Sequence, residues 1–210
     1  MDRPGTQGPA QWPPGFFDRA DVRADDEFYE PPRFVAHLDD AAIAEVGRLY
    51  RELGLDGAVL DLMSSWISHF DRAPAALTVL GMNAAELDRN VAASARVVHD
   101  LNADPRLPFD DETFDAVTCC VSIDYLVRPV DVLVDVARVL RSGAPFVCTF
   151  SNRCFPTKAI RGWLLASEAG RVDIVRAYLV SAGEFGEVQA ELRNAGGRGD
   201  PLYAVWAHRR

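Results

Sequence analysis

Lysine is all but missing from this chain. Among 210 residues only Lys158 is a lysine, and the remaining basic side chains, apart from four histidines, are arginines. Positive charge is scarce overall: 22 Lys and Arg stand against 31 Asp and Glu, a net charge of −9. That balance argues against nucleic acid or an anionic membrane as partner, because both need basic surface. One weak basic grouping is present, Arg153, Lys158 and Arg161. No apolar run approaches the roughly 18 residues of a membrane span. A basic start followed by an apolar stretch is also absent, so no signal peptide is expected. The four cysteines, Cys119, Cys120, Cys148 and Cys154, form no C-x-x-C pair. Buried free thiols in a reducing cytoplasm are the expectation. The histidines lack ligand spacing, and no metal site is expected.

What is present is enough for a core. Hydrophobic residues make up 49% and charged residues 25%, ordinary values for one globular domain. Residues 1–38 read as an N-terminal arm. Its first 15 residues are rich in Pro and Gly and are expected to lack regular structure. Residues 16–38 mix charge with Phe16, Phe17, Phe28, Tyr29 and Phe34, which suits an arm packed on the body. Residues 39–210 read as the domain. Asp39 or Asp40 caps a helix to about Leu53, with Ile43, Val46, Leu49, Tyr50 and Leu53 at helical spacing and Gly54 as the stop.

After that, apolar strand-like runs alternate with helical ones. The pattern predicts strands at 58–62, 77–82, 95–99, 114–121 and 144–150. Helices are expected near 65–72, 84–93 and 129–140, then at 156–169 and 171–182. The end reads as a hairpin, Phe185 to Leu192 and Leu202 to His208, across the turn Asn194 to Gly199. Alternation of this kind implies an α/β fold with a parallel sheet and right-handed crossovers, closed by one antiparallel pair.

Ligands bind beyond the carboxyl ends of such strands, so the residues there are the candidates. Asp61 ends the first strand and either holds the turn's amides or neutralises a cationic ligand. Met63, Ser64 and Ser65 follow in a turn with no glycine, where cofactor turns usually need bare backbone. Ser64 and Ser65 offer hydroxyls and amides to an anion, or simply cap a helix. Asn83 ends the second strand; it reads either as a weak ribose-hydroxyl acceptor or as a helix cap. Asp100 ends the third and suits either an adenine amino group, with the Leu101 amide donating to a ring nitrogen, or a solvated loop. Val121, Ser122, Asp124 and Tyr125 end the fourth, with Asp124 and Tyr125 expected at the mouth of the site.

The segment Leu107-Pro108-Phe109-Asp110-Asp111-Glu112-Thr113-Phe114-Asp115-Ala116-Val117, followed by Arg138-Val139-Leu140-Arg141-Ser142-Gly143-Ala144, resembles the class I S-adenosylmethionine-dependent methyltransferases. The resemblance is to the type 11 methyltransferase domain over roughly residues 40–155. It implies a Rossmann-like, seven-stranded, mostly parallel sheet with a C-terminal antiparallel hairpin and helices on both faces. It also implies S-adenosylmethionine as cofactor. On that resemblance Asp61 matches the carboxylate of the first strand, and Met63, Ser65 and Ile67 fall where the family has loop glycines. Asn83 falls on the ribose acid, Asp100 and Leu101 on the adenine pair, and Val121 and Ser122 beside the methionine moiety.

Methyl transfer from a sulfonium needs in-line positioning and exclusion of water. A base is needed only if the acceptor must lose a proton; Asp124 is the candidate, with Tyr125 orienting a small-molecule substrate. A purely structural Asp124 is the alternative. The arm, through Phe16, Phe17 and Tyr29, is placed to close over the cofactor. The rival reading is a catalytically inactive binding or scaffold protein whose site is filled by Met63 and Trp66; it requires a closed, apolar cleft at 61–66. A nicotinamide oxidoreductase fits the alternation but lacks any G-x-G-x-x-G turn. Neither the methyl acceptor nor the oligomeric state has a signature in the sequence.

Overall fold

The computed structural model describes residues 12–194 and 199–210. Seven strands form one sheet in the order β3-β2-β1-β4-β5-β7-β6. β1 (Ala58–Leu62), β2 (Ala76–Gly81), β3 (Ala95–Val98), β4 (Ala116–Cys120) and β5 (Pro145–Phe150) are parallel. β6 (Gln189–Leu192) and β7 (Tyr203–His208) make the closing hairpin, with β7 antiparallel to β5. The central strands are near-continuous runs of Val, Leu, Ala and Cys because helices cover both faces.

Alternate residues of one strand feed different cores. Leu60 and Leu62 face the layer of α4 (Pro129–Val139) and α6 (Glu168–Ala182), against Val132, Val136 and Leu179. Val59 faces the opposite layer, with Val46, Leu49 and Tyr50 of α2 (Asp40–Glu52). The helix ends follow local chemistry. The Asp39 side chain accepts from the Ala42 amide at the start of α2, Pro129 opens α4, and Ser167 caps α6.

The expected helix at 65–72 does not form: residues 64–75 are irregular. Ser-Ser-Trp-Ile-Ser-His-Phe contains no strong helix former; its hydroxyls are engaged by tertiary partners described below, and the Trp66 indole donates to the Val35 carbonyl of the arm. The second helix, α3 (Ala84–Arg89), stops short of residue 93. There the Asn90 side chain turns back to donate to the Ser65 carbonyl and the Ser68 hydroxyl. The helical stretch expected at 156–169 is reduced to α5 (Arg161–Leu165), and α6 begins at Glu168. Phe114, expected in β4, makes only an isolated bridge to Leu140. Most of the expected hairpin turn lies outside the described residues.

The arm packs on the body from Trp12 onward, earlier than its Pro and Gly content implied; residues 1–11 lie outside the described residues. Trp12, Phe16 and Phe17 cluster with Tyr178 of α6. A short helix, α1 (Asp25–Tyr29), follows. The expected basic grouping is overturned here. Lys158 is fully buried, and its ammonium donates to the Arg23 carbonyl (2.7 Å) and to Asp25 (2.9 Å). Arg153 pairs with Asp200. Burial alone would raise the Asp25 carboxyl, but donors from Arg19, Asn102 and Lys158 hold it below its ordinary value. The sole lysine is therefore an anchor for the arm. Cys119 and Cys148 are buried free thiols as expected, while Cys120 and Cys154 are half-buried.

Candidate functional site

A cavity of about 590 Å³ lies beyond the carboxyl ends of the parallel strands, roofed by the arm. Its volume is in the range of small-molecule and cofactor sites, about 300–1,000 Å³. It spans the β1–β4 boundary, where the strand order reverses and open α/β sheets bind their ligands. Of the residues predicted from sequence, Asp61, Met63, Ser64, Ser65, Asn83, Asp100, Leu101, Val121, Ser122 and Tyr125 all line it. Asp124 does not.

The turn after β1 is built on hydroxyls in place of glycine. Asp61 is buried, and its carboxylate accepts from Ser64 (2.7 Å), Ser68 (2.5 Å) and Thr118 (2.8 Å). These are hydroxyls, not the turn amides that the sequence suggested. Met63 takes the left-handed conformation, φ 53°, which glycine adopts most easily. The glycine that matters sits opposite, on β2. A Cβ at Gly81 would collide with the Ser64 carbonyl oxygen, and the Ser64 amide donates to the Leu80 carbonyl (2.7 Å). The turn folds down onto β2, which leaves the half-buried Met63 side chain on the cavity wall, not filling the space. The closed, apolar cleft required by the filled-site reading is not what forms.

Asn83 caps α3 through its side-chain oxygen, which accepts from the Glu86 amide (3.0 Å). Its amide nitrogen donates to the Tyr29 and Glu30 carbonyls of the arm, at 2.8 and 2.9 Å. Glu86, which sequence reasoning missed, is a buried carboxylate on the cavity wall. It accepts from the Arg33 amide (2.6 Å) and the Ser65 hydroxyl (2.5 Å). Its sequence signal, Asn-x-x-Glu before a helix, reads as a capping box, which is why it drew no attention. Asp100 turns inward on its own loop, accepting from the Asn102 and Ala103 amides. Ser122 donates to the Cys120 carbonyl (2.8 Å), and Val121 before it is left-handed, φ 48°. For a β-branched residue that is a genuine outlier, and it sits where the β4 turn meets the cavity.

The expectation that Asp124 faces the mouth is corrected. It is 2% exposed, and one carboxylate oxygen has no partner. Burial pushes its pKa up to about 8, offset only in part by its own backbone and by Arg171. The turn Ile123–Tyr125 aims it into the protein, while Tyr125 reaches the cavity and its hydroxyl accepts from the Phe155 amide (2.9 Å). Of the arm residues expected over the site, Tyr29 lines it; Phe17 packs on Tyr178 and Phe16 on Trp12 and Phe17 instead.

His37 and His69, missed from sequence, line the cavity together with His99. Burial lowers both from the ordinary histidine value, with Glu86 acting against it at His37 and Asp61 at His69. Both are therefore neutral near pH 7 and able to accept a proton. His37 stacks edge-on against Phe155, and the Nδ1 of His69 is unpartnered. A scattered histidine carries no signal in sequence; only the fold gathers these two. The wall thus combines three carboxylates that have no cationic hydrogen-bond partner, Asp61, Glu86 and Asp100, with neutral bases, aromatic faces and the arginines Arg33 and Arg153. Such a lining suits a ligand with positive charge and hydroxyl donors. Among the described residues no cluster of metal-ligating side chains occurs, and no helix is long and apolar enough to cross a membrane.

Known proteins with the same architecture are numerous but distant. A Pyrococcus horikoshii protein has 16% identity and TM-score 0.58, the match covering 88% of this chain and 99% of the other. A SAM-dependent methyltransferase from Aquifex aeolicus has 15% identity and TM-score 0.55, with 82% and 99% covered. A chain from the complex of the Haloferax volcanii Trm112 methyltransferase activator with a methyltransferase has 14% identity and TM-score 0.58, with 88% and 93% covered. At these identities the likeness is one of fold. No curated protein matches the sequence. The family of the methyltransferase domain matches residues 59–148, the stretch that runs from β1 to β5 and contributes most of the cavity floor. Residues 59–148, less than half of the chain, thus resemble a methyltransferase domain in sequence, and the sheet order and strand-end cavity agree with that likeness.

Proposed function

We propose that this protein transfers a methyl group from S-adenosylmethionine to a small molecule held between the strand ends and the arm. The observation that carries the reading is the cavity itself: it stays open beside Met63 at the sheet's switch point, with the Asp61 carboxylate on its wall. Asp61, Met63, Ser64 and Ser65 would hold the aminoacid end of the cofactor, with Val121 and Ser122 beside the methionine moiety. Asp100 and Leu101 would hold the adenine. The cofactor supplies an electrophilic methyl group, and the chain supplies position and dryness.

The arm favours a small acceptor. Tyr29, Arg33 and His37 of the arm lie on the cavity wall and narrow the space left for an acceptor. Tyr125 would orient the acceptor, since its hydroxyl accepts from Phe155 and retains its own proton to donate. Asp124 lies outside the cavity and takes no part in the proposed chemistry. If the acceptor must lose a proton, His37 is the base in reach of the arm side of the cavity. Calorimetric titration with S-adenosylmethionine and with S-adenosylhomocysteine tests the reading. Saturable binding of both is expected. An absence of heat and of thermal shift at millimolar ligand would sink it.

A further inference from the structure

We propose that Glu86, in place of Asn83, binds the ribose hydroxyls of an adenosyl ligand in this cavity. The proposal rests on the cofactor reading above and names a group in the site which that reading leaves unassigned. Nucleotide folds of this kind grip the ribose diol with an acid near the end of the second strand. Asn83 stands there in sequence, but its side chain is held by other partners, with both amide hydrogens used and one acceptor site left on a neutral oxygen. Its oxygen caps α3, and its nitrogen donates to two carbonyls of the arm.

Glu86 is one helical turn further on and is 8% exposed on the cavity wall. It does not close the capping box by folding back to the Asn83 amide, as an Asn-x-x-Glu pattern would lead one to expect. Its two oxygens instead reach the Arg33 amide and the Ser65 hydroxyl, one each. A carboxylate has about four acceptor sites, so one remains on each oxygen. A vicinal diol offers two O–H donors at matching separation. None of Glu86's hydrogen-bond donors is a cationic side chain, and a buried carboxylate left so is costly unless donors complete its shell. The diol would supply them as charge-assisted bonds, which are stronger than those to a neutral amide. Glu86 also ties the ligand to the arm, because its partner Arg33 belongs to the roof.

The test compares two ligands on the full chain: S-adenosylhomocysteine and its analogue lacking both ribose hydroxyls. In the wild type the analogue should bind about ten- to hundredfold more weakly, the worth of hydrogen bonds to a charged group. In Glu86→Gln that difference should shrink to about threefold or less, while Asn83→Ala keeps it. Should Glu86→Gln fail to fold, Glu86→Asp, whose carboxylate is drawn back by one methylene, takes its place with the same expectation. Equal binding of both ligands by the wild type overturns the proposal, as does undiminished discrimination in the Glu86 variant. Complete lack of S-adenosylhomocysteine binding by the wild type is a different result: it removes the cofactor reading, and this proposal with it.

Discussion

The turns after β1 and β4 are built from the same parts and do opposite things. Each follows a buried parallel strand, each contains a left-handed residue that is not glycine, and each has a buried aspartate. Asp61 is surrounded by three hydroxyl donors and lies on the cavity. Asp124 has an unpartnered oxygen, lies away from the cavity and is held towards its protonated form. Burial alone therefore does not make a functional acid. What separates the two is whether the surrounding chain supplies hydrogen-bond donors to the carboxyl group, and whether the side chain points to open space or to the core.

The sharpest way to break this comparison is through pH. The folded pKa of Asp124, about 8, lies above the ordinary 3.8. Folded protein therefore retains a proton that unfolding releases everywhere between those values. Stability should fall by up to about 1.4 kcal/mol per pH unit across that window. Above about pH 8 the folded group ionises as well and the slope ends. Asp124→Asn removes the contribution. Urea melts should show the variant equal to wild type near pH 4 and more stable by several kcal/mol near pH 8. A constant difference across the range would mean that Asp124 is ionised in the folded state.

Asp61→Ala comes next in size. It strands the hydroxyls of Thr118, Ser64 and Ser68 and should cost about 2–4 kcal/mol by denaturant unfolding. The irregular segment after β1 should loosen first, which amide exchange at residues 64–70 would register. The smallest effect is expected for Met63→Gly. Glycine relieves the left-handed backbone while the cavity wall loses a half-buried side chain, and the two should leave stability within about 1 kcal/mol of wild type. A loss of about 2–5 kcal/mol in a thermal melt would instead mark Met63 as a packed plug.

The legibility of the site divides along similar lines. Asp61, Ser64, Ser65, Asp100 and Tyr125 were visible because strand ends are visible: apolar runs stop, and polar residues begin. The direction of a side chain after the strand was not visible, and Asp124 and Tyr125, adjacent in sequence, point to different places. Glu86 was hidden by a helix-cap pattern that would normally use it up. His37 comes from the arm and His69 from a segment that read as a helix, so nothing local connects them. Phe16 and Phe17 pack in the cluster of Trp12 and Tyr178 and do not line the cavity.

By itself the sequence determined the order of the strands, the parallel core with its closing hairpin, and the edge of the sheet where a ligand belongs, but not the missing helix after β1. Those follow from hydrophobic period and chain connectivity, which are local or nearly so. Only the tertiary structure decided that the glycine-free turn is held open by hydroxyls on Asp61 and by the bare Gly81 across from it. It alone placed Glu86 on the cavity wall, turned Asp124 into the core, and buried the single lysine under the arm. Each of these depends on hydrogen bonds or close contacts between residues far apart in the chain, and no local pattern encodes such a partner.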